Sequence, residues 1–170
     1  LSALLALLFV PSQAQNQLSY EPSEMHPYGL PHPDAPPQLA DFAPMIGRCQ
    51  CTSTNRNADG TWQDPVAMTW EFKYIMNGKA IQDQSWKADG TLSGSIRQFN
   101  ADSSRWYVTY YTSANASPGL STWEGNKMGS DLVLYLPQQA PNGMEGFSRL
   151  TFSNISKKGF RWKGEWVDPD

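Results

Sequence analysis

From Gly47 onward the chain is broken at short, even intervals by residue pairs that reverse a backbone, and this rhythm most constrains its fold. Asn77-Gly78, between two runs rich in β-favouring residues, is the strongest short hairpin signal, because both residues tolerate positive φ. Asp59-Gly60, Asp89-Gly90 and Asn142-Gly143 supply further positions of that kind, and Asn100 to Ser104 and Ser156 to Gly159 complete the series. The runs between them predict strands near 47–54, 65–76, 79–87, 91–99, 105–112, 120–127, 131–137, 147–154 and 159–167, with no convincing helix. Short strands joined by tight turns predict a meander that closes on itself, which also removes exposed sheet edges. The expected fold class is therefore all-β: an up-and-down antiparallel barrel of about 8–10 strands.

Side-chain alternation supports that reading. Trp70, Phe72, Tyr74 and Met76 fall on one face of their strand, opposite Thr69, Glu71, Lys73 and Ile75. Phe160, Trp162 and Trp166 share a face, as do Leu132, Leu134 and Leu136, and these apolar rows are expected to point inward. In 105–112 the alternation is ambiguous, because Trp106, Val108 and Tyr110 interleave with Tyr107, Thr109 and Tyr111.

Ahead of the barrel two segments differ in composition. Leu1 to Val10 is almost wholly apolar and leads into Pro11-Ser12-Gln13-Ala14, the pattern of a secretory signal peptide with small residues before its cleavage point. A membrane span needs roughly 20 apolar residues, and this run stops well short of that. Residues 1–14 are thus expected to be a signal peptide, and the protein to be periplasmic or secreted. Residues 15–38 carry six prolines and both histidines, His26 and His32, and predict an extended, partly ordered arm. Residues 39–170 form the expected barrel domain. In its first turn Leu39, Phe42, Met45 and Ile46 are placed to plug one barrel end.

Composition narrows the function classes. Net charge is −3 with both signs scattered, so no basic stripe marks a nucleic-acid partner. Nothing after Ala14 is apolar enough to span a membrane as a helix. Seven Trp, seven Tyr and seven Phe are the outlier, and such residues favour strands and bury large areas.

The run Trp70-x-x-x-Tyr74-x-x-x-Gly78-x-x-x-x-Asp83-x-x-Trp86, followed by Gly94-Ser95-Ile96-Arg97-Gln98-Phe99-Asn100 and Trp106, resembles a bacterial family of calycin-like domains of unknown function, related in shape to lipocalins. The likeness covers roughly Phe42 to Val167 and implies an up-and-down barrel with an interior cavity, but no activity. One departure stands out. Lipocalin-like first strands often begin Gly-x-Trp, whereas this one reads Gly47-Arg48-Cys49. No His follows His32, so a His-ligated haem of the kind bound by similarly shaped proteins is not expected.

Candidate ligand contacts are the aromatics Trp70, Tyr74, Trp86, Trp106 and Trp162, together with Arg97 and Arg149, because Arg binds a carboxylate bidentately. The competing reading is that the aromatics fill the barrel and the arginines pair with Asp83 or Glu124 on its wall. A one-residue register error exchanges these alternatives. Cys49 and Cys51 flank one residue in the first strand and share a face about two rises of roughly 3.3 Å apart. A disulfide wants Cβ atoms about 3.5–4.5 Å apart, so a regular strand cannot bridge them, and two structural thiols are the plain reading. Pairing them with His26 and His32 fits no established zinc spacing. No metal or cofactor is expected.

Without a barrel His, Ser-His-Asp and Cys-His catalysis lack their general base. The expected function is an exported binding module for a small apolar or amphipathic ligand. The alternatives are an envelope interaction or structural protein using the Pro-rich arm, and a cavity-based isomerase or cyclase using one inward acid.

Overall fold

The protein is described here from a computed structural model, which covers residues 18–169. The expected signal peptide, residues 1–14, and the first three residues of the arm lie outside the described residues. Nine strands follow in order: β1 (Gly47–Ser53), β2 (Val66–Ile75), β3 (Ala80–Lys87), β4 (Leu92–Asn100), β5 (Arg105–Thr112), β6 (Ser121–Met128), β7 (Asp131–Pro137), β8 (Phe147–Ser156) and β9 (Gly159–Val167). Each pairs antiparallel with the next in one sheet, which curls into a nearly closed up-and-down barrel. The strand positions follow the turn chemistry: Gly60, Gly90 and Gly143 all adopt positive φ, as their Asp or Asn partners foretold.

The β2–β3 connection differs from the two-residue hairpin expected at Asn77-Gly78. It spans Met76 to Lys79, with Met76, Asn77 and Gly78 all at positive φ. The reason is the arm. His32 donates its N–H to the Gly78 carbonyl at 3.0 Å, and a Cβ at Gly78 would collide with the Leu30 carbonyl and lie 2.6 Å from the His32 nitrogen. The glycine lets arm and turn touch backbone to backbone.

The arm is correspondingly more ordered than its proline content suggests. β1 begins at Gly47 opposite Phe72. Two residues further along β2, Tyr74 donates its N–H to the Tyr28 carbonyl at 2.8 Å. The arm thus covers the β2 edge just beyond the start of β1. Tyr20 reaches Asn77 Oδ1 with its N–H, and its ring meets that of His32 at 4.7 Å.

From there the chain turns under the barrel. Two short 3-10 segments, Pro37–Asp41 and Ala43–Met45, carry Leu39, Phe42 and Met45 into the core. Phe42 packs edge-on to Trp106 with centroids 4.8 Å apart. The Trp106 indole N–H donates to Asp41 Oδ2 at 3.2 Å. Burying a side chain of this size contributes roughly 1.5–3 kcal/mol. One barrel end is therefore closed by its own chain.

Register settles the faces. Cys49 opposes Trp70, Phe72 opposes Asp83, Arg97 opposes Val108, and Phe152 opposes Trp162. The inward set includes Trp70, Phe72, Ile81, Asp83, Arg97, Trp106, Val108, Leu132, Leu134 and Phe152. In β5 the ambiguity resolves in favour of Trp106 and Val108 as the buried row. The ladder ends at β1 and β9, which share no hydrogen-bonded rung. Trp162 sits at that seam, and although it pairs with the buried Phe152 it is 46 % exposed.

Candidate functional site

Above the floor the barrel is not filled. A cavity of about 340 Å³ occupies the interior toward the end opposite the plug. Its deep wall is apolar, with Trp70, Val108, Leu150 and Phe152. Its rim is polar, with Ser53, Lys87, Ser93, Tyr110 and Ser148. The split follows from strand ends. Ser53 and Lys87 are the last residues of β1 and β3, so these inward positions lie at the open mouth, where water reaches their polar side chains. Two of the rim groups already have partners: Ser85 and Ser93 hydroxyls bond at 2.8 Å, and Trp123 donates its indole N–H to Ser148 Oγ at 3.2 Å.

At the cavity base lies a buried ion pair. Asp83 Oδ2 and Arg97 Nη2 are 2.7 Å apart, with the side chains 3 % and 2 % exposed. Trp70 adds an indole N–H to Asp83 Oδ1 at 2.7 Å. The Arg97 guanidinium is surrounded by the rings of Phe42, Phe72 and Phe152, whose centroids lie 5.1, 5.3 and 5.3 Å away. Its Nε and Nη1 and the Asp83 Oδ2 make no aligned hydrogen bond, because aromatic faces stand where acceptors would be and the 2.7 Å contact is off-axis. Burial pushes the Asp83 carboxyl up and the Arg97 guanidinium down, and each partner's charge opposes that displacement in the other. The rings supply partial compensation through their negative faces.

The residues singled out from sequence divide cleanly. Trp70, Arg97 and Trp162 line the cavity. Trp106 and Tyr74 are buried but sit at the closed end, in the floor and beside the arm. Trp86 and Arg149 are on the outer wall. Trp86 opposes the outward Thr69 and carries the Arg48 guanidinium 5.9 Å above its ring, and Arg149 pairs with Glu165 at 2.8 Å. An interior ligand meets neither. Sequence reasoning missed the serines. Ser85, Ser93, Ser95 and Ser148 sit at inward positions of strands that also turn large side chains inward, and Ser53 follows Cys49 and Cys51 on the inward face of β1; these small side chains leave the room.

Cys49 and Cys51 share the inward face of β1 as free, half-buried thiols. Cys51 donates to the Met68 carbonyl at 3.5 Å. Burial, and then the Cys49 thiol beside it, push Cys51 up to about 12, so it stays a neutral thiol. Among the described residues no three His, Cys, Asp or Glu side chains group as a metal site, and no helix is long and apolar enough to cross a membrane.

The nearly closed meander is compatible with a calycin-like fold. The chain matches no family model, and no curated protein matches it in sequence.

Proposed function

We propose that this protein is an exported binding module that takes a small, largely apolar or amphipathic molecule into its barrel. The observation that carries this reading is the asymmetry of the interior. One end is sealed by Leu39, Phe42 and Met45, while the other keeps about 340 Å³ unfilled behind a polar rim. Ligand sites run to roughly 300–1,000 Å³ with mostly apolar walls and a few polar groups. This cavity is at the small end of that range, which favours a compact ring system over a long acyl chain.

The enzymatic alternative draws on Asp83, the carboxylate among the described residues that lines the cavity. Its pKa is raised, as a general acid would require. Its oxygens are engaged by Trp70 and Arg97, however, which favours binding over proton transfer. The ordered packing of the arm against the β2–β3 turn likewise favours a structural role for it over partner capture.

Native mass spectrometry with a panel of small aromatic and amphipathic compounds tests the proposal, read alongside quenching of Trp70, Trp123 and Trp162. Stoichiometric retention of one compound, lost on Ser93→Phe, is the expected result. Retention unchanged by that cavity-filling substitution would overturn it.

A further inference from the structure

Resting on that reading of the cavity as a binding site, we infer that its ligand carries a negative charge and is held with the anionic group at the rim, against Lys87. Three charged side chains line the cavity: Asp83, Arg97 and Lys87. Asp83 and Arg97 neutralise each other at 2.7 Å in the base, and Arg97 keeps its proton at any ordinary pH, so that pair is never net negative. Lys87 is left over. It is the last residue of β3, opposes the inward Met68, and makes no ion pair within 4.0 Å among the described residues.

The surroundings reinforce the placement. Ser53 and Tyr110 stand on the same rim, and neither hydroxyl has a hydrogen-bond partner among the described residues, so both are free to donate to an anion. Below them the wall turns apolar at Val108, Leu150 and Phe152. Above the neutralised pair, polarity and net positive charge therefore increase together from the apolar wall to the mouth, which fits an aromatic or short aliphatic acid entering body first. An opposing charge felt by Lys87 is Asp89 in the β3–β4 turn, whose carboxylate is turned back onto the Thr91 N–H at 2.8 Å. Hydrogen bonds from Thr91, and after them the Lys87 charge, hold the Asp89 carboxyl below its usual value, so Asp89 weakens the rim field without cancelling it. The other acidic residues of loops at this end, Asp59, Asp64 and Glu145, are outside the lining.

This placement differs from an anion buried on Arg97. The inner arginine is committed to Asp83 and to three aromatic rings, and it offers nothing at the mouth.

Two fluorescent probes that share one skeleton test the inference: anilinonaphthalene sulfonate, which is anionic, and phenylnaphthylamine, which lacks the sulfonate. Each is titrated into the full protein, into Lys87→Met and into Lys87→Arg. A rim-exposed ion pair contributes modestly, so Lys87→Met is expected to weaken the anionic probe about fivefold and to leave the neutral probe unchanged. Lys87→Arg restores the anionic affinity, Asp89→Asn raises it, and added salt narrows the difference between wild type and Lys87→Met. Equal effects of Lys87→Met on both probes would overturn the anionic inference while leaving the binding module standing. Binding of neither probe, or binding that survives Ser93→Phe, would overturn both.

Discussion

The Arg97 guanidinium and the Asp83 carboxylate meet at 2.7 Å at the base of the barrel cavity, on the adjacent strands β4 and β3, flanked by Val108 and Phe72 on the next strands out. The contact divides the interior. Below it the three rings around Arg97 and the Phe42–Trp106 pair make a solid floor, and above it the cavity opens.

The pair is predicted to act as one unit. Arg97→Met leaves a carboxylate buried without its counter-charge and is expected to cost about 3–5 kcal/mol. Asp83→Leu combined with Arg97→Met restores most of that, measured by urea denaturation. The single variant also acquires a pH signature. Without Arg97 the Asp83 carboxyl rises further above its usual value, so stability lost at neutral pH returns as pH falls through the new value. Additive losses in the double variant would show that the two residues act separately.

The floor plug is expected to be a principal source of stability. Phe42 is fully buried against Trp106, Phe152 and the Arg97 guanidinium. Phe42→Ala removes a large buried ring and is predicted to destabilise by about 3–5 kcal/mol. Chemical denaturation with tryptophan emission measures it, and a loss below about 1 kcal/mol would mean that the plug is dispensable.

The arm is held at the Gly78 turn. Gly78→Ala introduces a Cβ against the Leu30 carbonyl at a residue with φ of 76°, so strain and collision coincide. The variant is predicted to release the arm and expose it to proteases while the strands remain folded. Limited proteolysis followed by mass analysis checks this, and wild-type resistance would contradict the docking described.

Cys51 is expected to be poorly reactive. With a pKa of about 12, only about a thousandth of it is thiolate at pH 9. Alkylation by iodoacetamide in the native state should therefore be far slower than after unfolding, and should accelerate as pH approaches 12. Fast native alkylation of Cys51 at pH 8, mapped by peptide mass, would contradict its placement.

Strand order was legible because turn chemistry is local: Asp59-Gly60, Asp89-Gly90 and Asn142-Gly143 each place a positive-φ glycine in the connection between two strands. The plug residues Leu39, Phe42 and Met45 were legible from their apolar spacing. The candidate site was only half visible, for a physical reason. Inward or outward orientation depends on register, which flips with one residue, and so Arg97 and Arg149 looked equivalent until pairing put Arg97 opposite Val108 and Arg149 opposite Glu165. The cavity itself arises from serines, which carry no strong sequence signal. The ordering of the arm depends on contacts across more than fifty residues, such as Tyr20 to Asn77, which no local pattern encodes.

Whether the barrel interior receives a small molecule is tested most directly by a crystal structure determined with phenylnaphthylamine. The expected result is density for one probe molecule between Trp70, Trp123 and Phe152, with the Asp83–Arg97 contact intact beneath it. An interior closed by the protein's own side chains, with the probe absent or bound on the outer wall, would contradict it.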